Sequence, residues 1–323
     1  NITPTLSSTE PTPLWTEFEF VAPLRGAIGP TLEKCCKTYK EMYPWAQFKN
    51  NFSMVRNGYQ LLVIPKTGRY ELIAYGAGTD RSDGAIVSGV FHFKEDDIIE
   101  VAVGQQHNDA SDHRRLGSQN IIPVSNNEVH SGCGGTFVSH VCKNSFSNNG
   151  DRSFVTQLLI VAGGAGYGPD VEHSHASLTE YAKGNRIKRS GGIAIRSGTA
   201  TAGAGYDNIV VWGKTQFSPN SYESGLQGGY GHYNLHYDSY LSQLFYGGFG
   251  GGGGLHVEKQ YNNSIFSSIN GCGGGYTGGG HSRDSIGLSN ITGGGGGSYS
   301  IDQSGTKRIG NNGPGKCTIR LLN

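Results

Sequence analysis

No run of about 18 apolar residues occurs in this chain, so no segment is built to span a bilayer as a helix. Charge of one sign is missing too: 26 Lys and Arg face 25 Asp and Glu, a formal net charge of +1. That balance removes any bulk electrostatic case for nucleic acid or an anionic membrane surface. Six cysteines occur without one CxxC pair, which argues against a zinc module. No charged n-region followed by an apolar h-region opens the chain. It begins at Asn1 in a Thr/Pro/Ser-rich stretch that ends near Pro13, which reads as an excised fragment with a flexible leader over 1–13.

Catalytic patterns are missing as well. There is no G-x-S-x-G elbow, and nothing designates one Ser, His and Asp as a triad. The run Leu158–Gly168 (LLIVAGGAGYG) begins like a dinucleotide-binding turn, but Pro169 stands where the third glycine is needed and no helix follows. His173 and His175 form an H-x-H pair, and His232 and His236 are four apart. Neither pair has cysteine or carboxylate at ligand spacing, so they read as surface-loop histidines. Arg186-Ile187-Lys188-Arg189 is a short basic patch, either a solvated loop or a weak heparan sulphate contact. The expectation is a non-enzymatic fragment with no metal and no cofactor.

What the chain has in excess is glycine, 53 of 323 residues, roughly twice the usual share of about 7%. Gly247–Gly254 holds seven glycines around Phe249, and the pattern returns at Gly271–Gly280 and Gly293–Gly297. Such tracts are either floppy linkers, because a chain without Cβ has most entropy to lose, or places where backbones approach too closely for a side chain. Tyr246, Phe249, Tyr276 and Tyr299 lie in or beside the tracts, which favours order. No Gly-X-Y register exists, so a collagen triple helix is excluded. The expected arrangement is a bundle of polyproline-II-like glycine helices. Gly247, Gly248, Gly250, Gly251, Gly252, Gly253, Gly254, Gly273, Gly274, Gly275, Gly293, Gly294 and Gly295 form its centre.

Around the tracts the pattern is β. Residues 17–22 alternate as a strand, and further strands are expected at Tyr59–Ile64, Arg69–Tyr75, Ile86–Phe93, Ile98–Val103, Thr136–Cys142 and Phe154–Ala162. Pro30 and a capping-competent Thr31 precede an apolar stripe of Leu32, Cys35, Cys36, Tyr39 and Tyr43, which predicts one early helix near 31–43. Leu235–Tyr246 carries a second helical stripe. Lys316–Leu322 reads as a last strand returning to the sheet after a long insertion. Short strands without helices between them make an antiparallel sandwich. The expected domains are 14–162 as the β sandwich, 163–312 as the glycine-rich insertion and 313–323 as the returning strand.

An even cysteine count and four N-x-[ST] sequons, at Asn1, Asn51, Asn262 and Asn290, tilt the compartment to the cell exterior, against a cytosolic protein with six free thiols. Cys133 and Cys142 flank one extended strand and lie beyond disulfide reach of each other. Cys133 and Cys272 share a Gly-Cys-Gly-Gly setting and are expected to pair, which leaves adjacent Cys35 and Cys36 to take Cys142 and Cys317.

The order of motifs resembles the extracellular glycine-rich region of the anaplastic lymphoma kinase and leukocyte tyrosine kinase receptors. The segments that carry it are Leu14-Trp15-Thr16 with Arg25-Gly26-Ala27 and Gly29-Pro30-Thr31; Tyr70–Gly78; Val87–Phe93 followed by Glu95-Asp96-Asp97; Val103-Gly104-Gln105-Gln106; Leu158–Gly164; and Gly247–Gly254 followed by Gly273–Gly279. The resemblance runs from about Leu14 to the C-terminus. It implies a tumour-necrosis-factor-like jelly roll with a rigid glycine-helix bundle inserted before the last strand. It also implies a secreted protein ligand, receptor homodimerisation on binding, and a single-pass cell-membrane receptor whose cytoplasmic kinase is not in this chain. Tyr276 matches a family position close to the ligand-contacting surface, and is otherwise a tyrosine wedged between glycine helices. Where vertebrate members carry an acidic stretch, this chain reads Gly280-His281-Ser282-Arg283-Asp284-Ser285, which is nearly neutral. Arg283 and Asp284 thereby join Tyr276 as candidate contacts, and a divergent, invertebrate member with a different ligand is implied. Two other functions fit the composition: a matrix protein with a rigid glycine spacer, and a secreted trimeric ligand of the tumour-necrosis-factor type.

Overall fold

The computed structural model describes residues 15–44, 49–107, 130–142, 155–185, 187–192, 201–207, 218–230, 232–234, 246–259, 266–281 and 290–322. Alternating burial in the sequence builds two antiparallel sheets. The first has the order β1-β15-β4-β5-β14, made of β1 (Glu17–Val21), β15 (Lys316–Leu322), β4 (Gly68–Tyr75), β5 (Gly84–Phe93) and β14 (Lys307–Asn311). The second has the order β13-β8-β7-β6-β3-β2, made of β13 (Tyr299–Ser300), β8 (Val155–Ala162), β7 (Thr136–Cys142), β6 (Ile98–Ala102), β3 (Tyr59–Val63) and β2 (Phe52–Arg56). The protein is therefore mainly β, an antiparallel sandwich, as the strand spacing predicts.

Between the sheets, Phe18, Phe20, Leu62, Leu72, Val87, Ile99, Val138 and Ile319 form one core with Tyr39 and Tyr70. Each fully buried side chain of this kind contributes about 1.5–3 kcal/mol relative to exposure. The early helix α1 (Leu32–Met42) closes one side. Thr31 caps it, its Oγ1 accepting from the Lys34 N–H at 3.4 Å, and Cys35 and Tyr39 are the buried pair four apart. The phenolic oxygens of Tyr39 and Tyr43 accept the Val21 and Glu19 amides of β1, at 3.0 and 2.7 Å, which fixes the helix to the sheet.

The outer face of the five-stranded sheet carries cross-strand ion pairs. Lys316 and Arg320 of β15 pair with Glu19 and Glu71 on its two neighbours, at 2.9 and 2.6 Å. The outer face of the six-stranded sheet carries an apolar stripe, because strand register aligns Tyr59, Ala102, Phe137, Val161 and Tyr299 in one cross-strand row. That row is covered by the glycine-rich part. Tyr222, Leu226, Phe249 and Tyr276 close over it as a second core.

Three strands of the sandwich were not read from the sequence. β2 is short and on an edge, β13 is two residues long, and β14 (KRIGN) is charged and carries Gly310. β13 and β14 lie within 163–312, so the chain returns to the sandwich before 313. The insertion also holds a small mixed sheet of β12 (Asn290–Ile291), β11 (Phe266–Ile269), β10 (His256–Lys259) and β9 (His232–Asn234), and a single helical turn α2 (Val171–Ser174). The helical stripe expected at Leu235–Tyr246 falls, but for Tyr246, outside the described residues. Among the described residues no helix is long and apolar enough to cross a membrane.

Candidate ligand-binding surface

The glycine segments are ordered by backbone bonds that run from one segment to another. The Gly164 N–H donates to the Gly274 carbonyl at 2.8 Å, Gly274 to Cys133 at 3.0 Å and Cys133 to Ala165 at 2.8 Å. Gly132 donates to Gly253 at 2.8 Å, Gly253 to Cys272 at 2.8 Å, Gly273 to Gly294 at 2.9 Å and Gly296 to Gly164 at 2.9 Å. These are the partners that extended chains without internal hydrogen bonds must find once buried. A Cβ placed on Gly247, Gly248, Gly250, Gly252, Gly253, Gly273, Gly274, Gly275, Gly293, Gly294 or Gly295 would come within 3.0 Å of a neighbouring backbone atom. On Gly251 it would meet the Ala204 Cβ at 2.9 Å, and Gly254 is buried. The segments pack backbone against backbone, so they are not linkers.

Phe249, the one interruption in its tract, is the anchor. Its ring is 1% exposed and meets Tyr59 edge-on at 6.2 Å. A Cβ on Gly29 or Gly58 would enter that ring, and Gly58 has a φ of +85°. The glycines of the sandwich loops therefore make the seat for the one large side chain of the tract.

A polar clasp lies beside it. The Tyr222 hydroxyl donates to Glu100 of β6 and lies 3.0 Å from the Ser139 hydroxyl of β7. The Tyr59 hydroxyl donates to the Tyr222 carbonyl at 2.5 Å. Arg56 stacks on Tyr59, 3.8 Å from the ring centroid, and donates to the carbonyls of Tyr222 and Glu223 at 2.8 and 3.0 Å. Burial pushes the Glu100 carboxyl above the usual range, partly offset by the hydrogen bond from Tyr222.

Tyr276 stands at the opposite end of the covered row. It is 8% exposed, stacks on Tyr299 at 4.6 Å and 15°, and lies 6.2 Å from Tyr206. Burial raises its phenol above the ordinary tyrosine value. Its place is thus largely the wedge between glycine segments, with neighbours that reach the surface. Arg189 lies 5.1 Å above the Tyr206 ring and pairs with Asp207 at 2.8 Å. Lys188 lies over Tyr181 at 5.2 Å and pairs with Glu180 at 2.7 Å. Tyr181 and Ile187 are 44% and 47% exposed. Arg189 has a φ of +66°, held by its amide on the Thr277 hydroxyl at 2.9 Å. This face collects tyrosine and arginine, the residue types that dominate protein interfaces. In the sequence Tyr276 and Tyr299 both stand in or beside glycine tracts, but only Tyr276 is marked as a candidate contact; Tyr206 and Tyr299 are distant in the chain and joined to it by packing. Arg283 and Asp284 lie outside the described residues. Of the basic patch, Lys188 and Arg189 are already paired with carboxylates, and Arg186 lies outside the described residues.

All six cysteines are free thiols in this structure, so neither the expected Cys133–Cys272 bridge nor the pairing of Cys35 and Cys36 with Cys142 and Cys317 is formed. The physical reason is orientation: Cys133 Sγ faces the Gly78 carbonyl at 3.5 Å and His107 Nδ1 at 3.7 Å, while Cys272 Sγ faces His281 Nε2 at 3.6 Å. Burial pushes Cys35, Cys133 and Cys272 up to about 12. His107 in turn lies 3.1 Å from His130, and neither was singled out by motif. Among the described residues, no three His, Cys, Asp or Glu converge on a metal. His173 and His175 are half-buried rather than free surface residues. His173 Nε2 lies 3.3 Å from the Gly280 carbonyl, and His175 Nδ1 accepts the Asp83 amide at 2.9 Å. His232 is in β9 and His236 lies outside the described residues, as do Asn1 and Asn262. Asn51 stands in a turn before β2 and Asn290 begins β12. No protein-family model matches the chain.

Proposed function

We propose that this chain is the extracellular ligand-binding region of a receptor tyrosine kinase, which takes a secreted protein ligand and pairs with a second receptor to activate a kinase carried elsewhere in the parent protein. The observation that carries this reading is the glycine block clasped onto one face of the sandwich, with Tyr181, Ile187, Lys188, Arg189 and Tyr299 exposed or half-exposed around Tyr276. A block held by inter-segment hydrogen bonds presents that face without ordering loss, which favours affinity. The motif order that resembles the anaplastic lymphoma kinase and leukocyte tyrosine kinase receptors supports the same reading. Arg189 and Tyr299 are the proposed anchors, and Arg283 and Asp284 are proposed to extend the contact.

Capture of secreted proteins on the immobilised chain, with light scattering of the chain alone and with its captured partner, tests this. The expected result is a monomer that captures a defined secreted protein and pairs in its presence, with capture weakened at least tenfold by Arg189→Glu. A stable trimer that captures nothing would establish the secreted-ligand alternative. A monomer that captures nothing would leave the rigid spacer.

A further inference from the structure

The four sequons are equivalent as sequence, but the two at Asn51 and Asn290 differ in the hydroxyl residue two positions on, exposed at Ser53 and buried at Thr292. In Asn290-Ile291-Thr292 the two residues after the acceptor are interior. Asn290 is ladder-paired with Ser268, Ile291 and Thr292 are 6% and 3% exposed, and the Thr292 hydroxyl accepts the Asp170 amide at 3.1 Å. In Asn51-Phe52-Ser53 the middle residue is equally buried, Phe52 being 6% exposed, but the acceptor and the hydroxyl residue reach the surface. Asn51 is half-buried in a turn, its backbone carbonyl holds the Val63 amide at 2.9 Å, and its side-chain amide makes no hydrogen bond among the described residues. Ser53 is exposed.

Asn51 also opens β2, the outermost strand of the six-stranded sheet among the described residues. An exposed strand edge is a template for pairing with another chain. The far half of β2 is guarded: the register shifts between Met54 and Arg56, so Val55 bulges outward at 56% exposure, and Arg56 adds a charge. The near half, next to Asn51, has neither device. An N-linked glycan would supply the missing guard.

We infer that Asn51 is an N-glycosylation site and that its glycan shields the near half of the β2 edge against strand addition, whereas Asn290 stays unmodified. The chemistry is that of the secretory pathway, so the inference rests on the extracellular part of the proposed function. The Asn51 amide nitrogen bonds to the anomeric carbon of an oligosaccharide carried on a polyprenyl diphosphate. The bond from that carbon to the diphosphate breaks, the amide loses one proton, and the polyprenyl diphosphate leaves.

The test is secretion of this chain from a glycosylating cell, amidase release of N-glycans in heavy-oxygen water, and peptide mapping. The expected result is conversion of Asn51 to labelled Asp in most molecules and none at Asn290. Occupancy of Asn1 or Asn262 with Asn51 empty would overturn the inference alone. A secreted protein with no glycan at any sequon would remove both the inference and a support of the extracellular reading. Ligand capture, scored separately, decides the receptor reading. Asn51→Gln and Ser53→Ala both remove the glycan by different side chains. Both are expected to convert a monodisperse sample into one that self-associates on light scattering, with an unchanged melting temperature. Variants as monodisperse as the wild type would overturn the shielding role.

Discussion

Leu72 in the sandwich and Gly274 in the glycine block are both buried, yet they hold their regions together by opposite means. Leu72 fills space between two sheets with a side chain, among Phe18, Tyr70 and Val87. Gly274 fills none. Its amide bonds to Cys133, its carbonyl accepts from Gly164, and a Cβ on it would collide with Gly250. The sandwich therefore tolerates loss of volume at a cost, whereas the block tolerates no gain of volume. Cohesion from backbone hydrogen bonds requires every segment to approach its neighbours, and one methyl group in the interior separates several at once.

The largest effect should come from adding atoms to the block. Gly134→Ala and Gly252→Val place carbon within 3.0 Å of the Phe249 and Gly132 backbones and should abolish secretion of folded chain. If either variant is secreted with a normal melting curve, the backbone-to-backbone account fails. Removing atoms from the sandwich should do less: Leu72→Ala is expected to cost about 2–5 kcal/mol by denaturant titration and still give a folded protein. A larger loss there than in Gly134→Ala would reverse the comparison.

The clasp between the two regions responds to pH. Glu100 has a folded-state value raised by burial, so the stability it contributes is present below its unfolded value and is lost as pH rises through the folded one. Glu100→Gln keeps an acceptor for the Tyr222 hydroxyl and removes that titration. Its stability relative to the wild type should rise as the pH is taken from about 4.5 upward. A pH-independent difference would show that Glu100 carries no such linkage. The smallest effect on stability is expected at the surface, where Arg189→Ala breaks the exposed pair with Asp207 and should cost at most about 1 kcal/mol in thermal melts. The comparison sharpens if that same variant loses ligand capture.

The strands of the sandwich were legible wherever alternation was strong. Thr136–Cys142 and Lys316–Leu322 match β7 and β15 at both ends, and Thr31 was recognisable as a helix cap. β2, β13 and β14 were not, because a short or charged edge strand satisfies few periodic positions. Of the candidate surface, the sequence marked Arg189 only as part of a basic loop and Tyr276 as a ligand contact. Tyr206, Tyr299 and Arg189 meet it through contacts across 70, 23 and 87 residues of chain, for which no spacing rule exists. The cysteines show the reverse failure, since a shared Gly-Cys-Gly-Gly setting says nothing of where each thiol points.

By itself the sequence determined the local elements: alternation made the strands, the 3-4 stripe made α1, and the glycine tracts with aromatics inside them signalled close packing. Only the tertiary structure decided which sheet face the glycine block covers and that Phe249 and Tyr222 hold it there. It also decided that the Cys133 and Cys272 thiols face separate neighbours, and that Ser53 is exposed while Thr292 is buried. Those outcomes depend on strand register and on backbone approaches between segments far apart in the chain, and no local pattern encodes such distances.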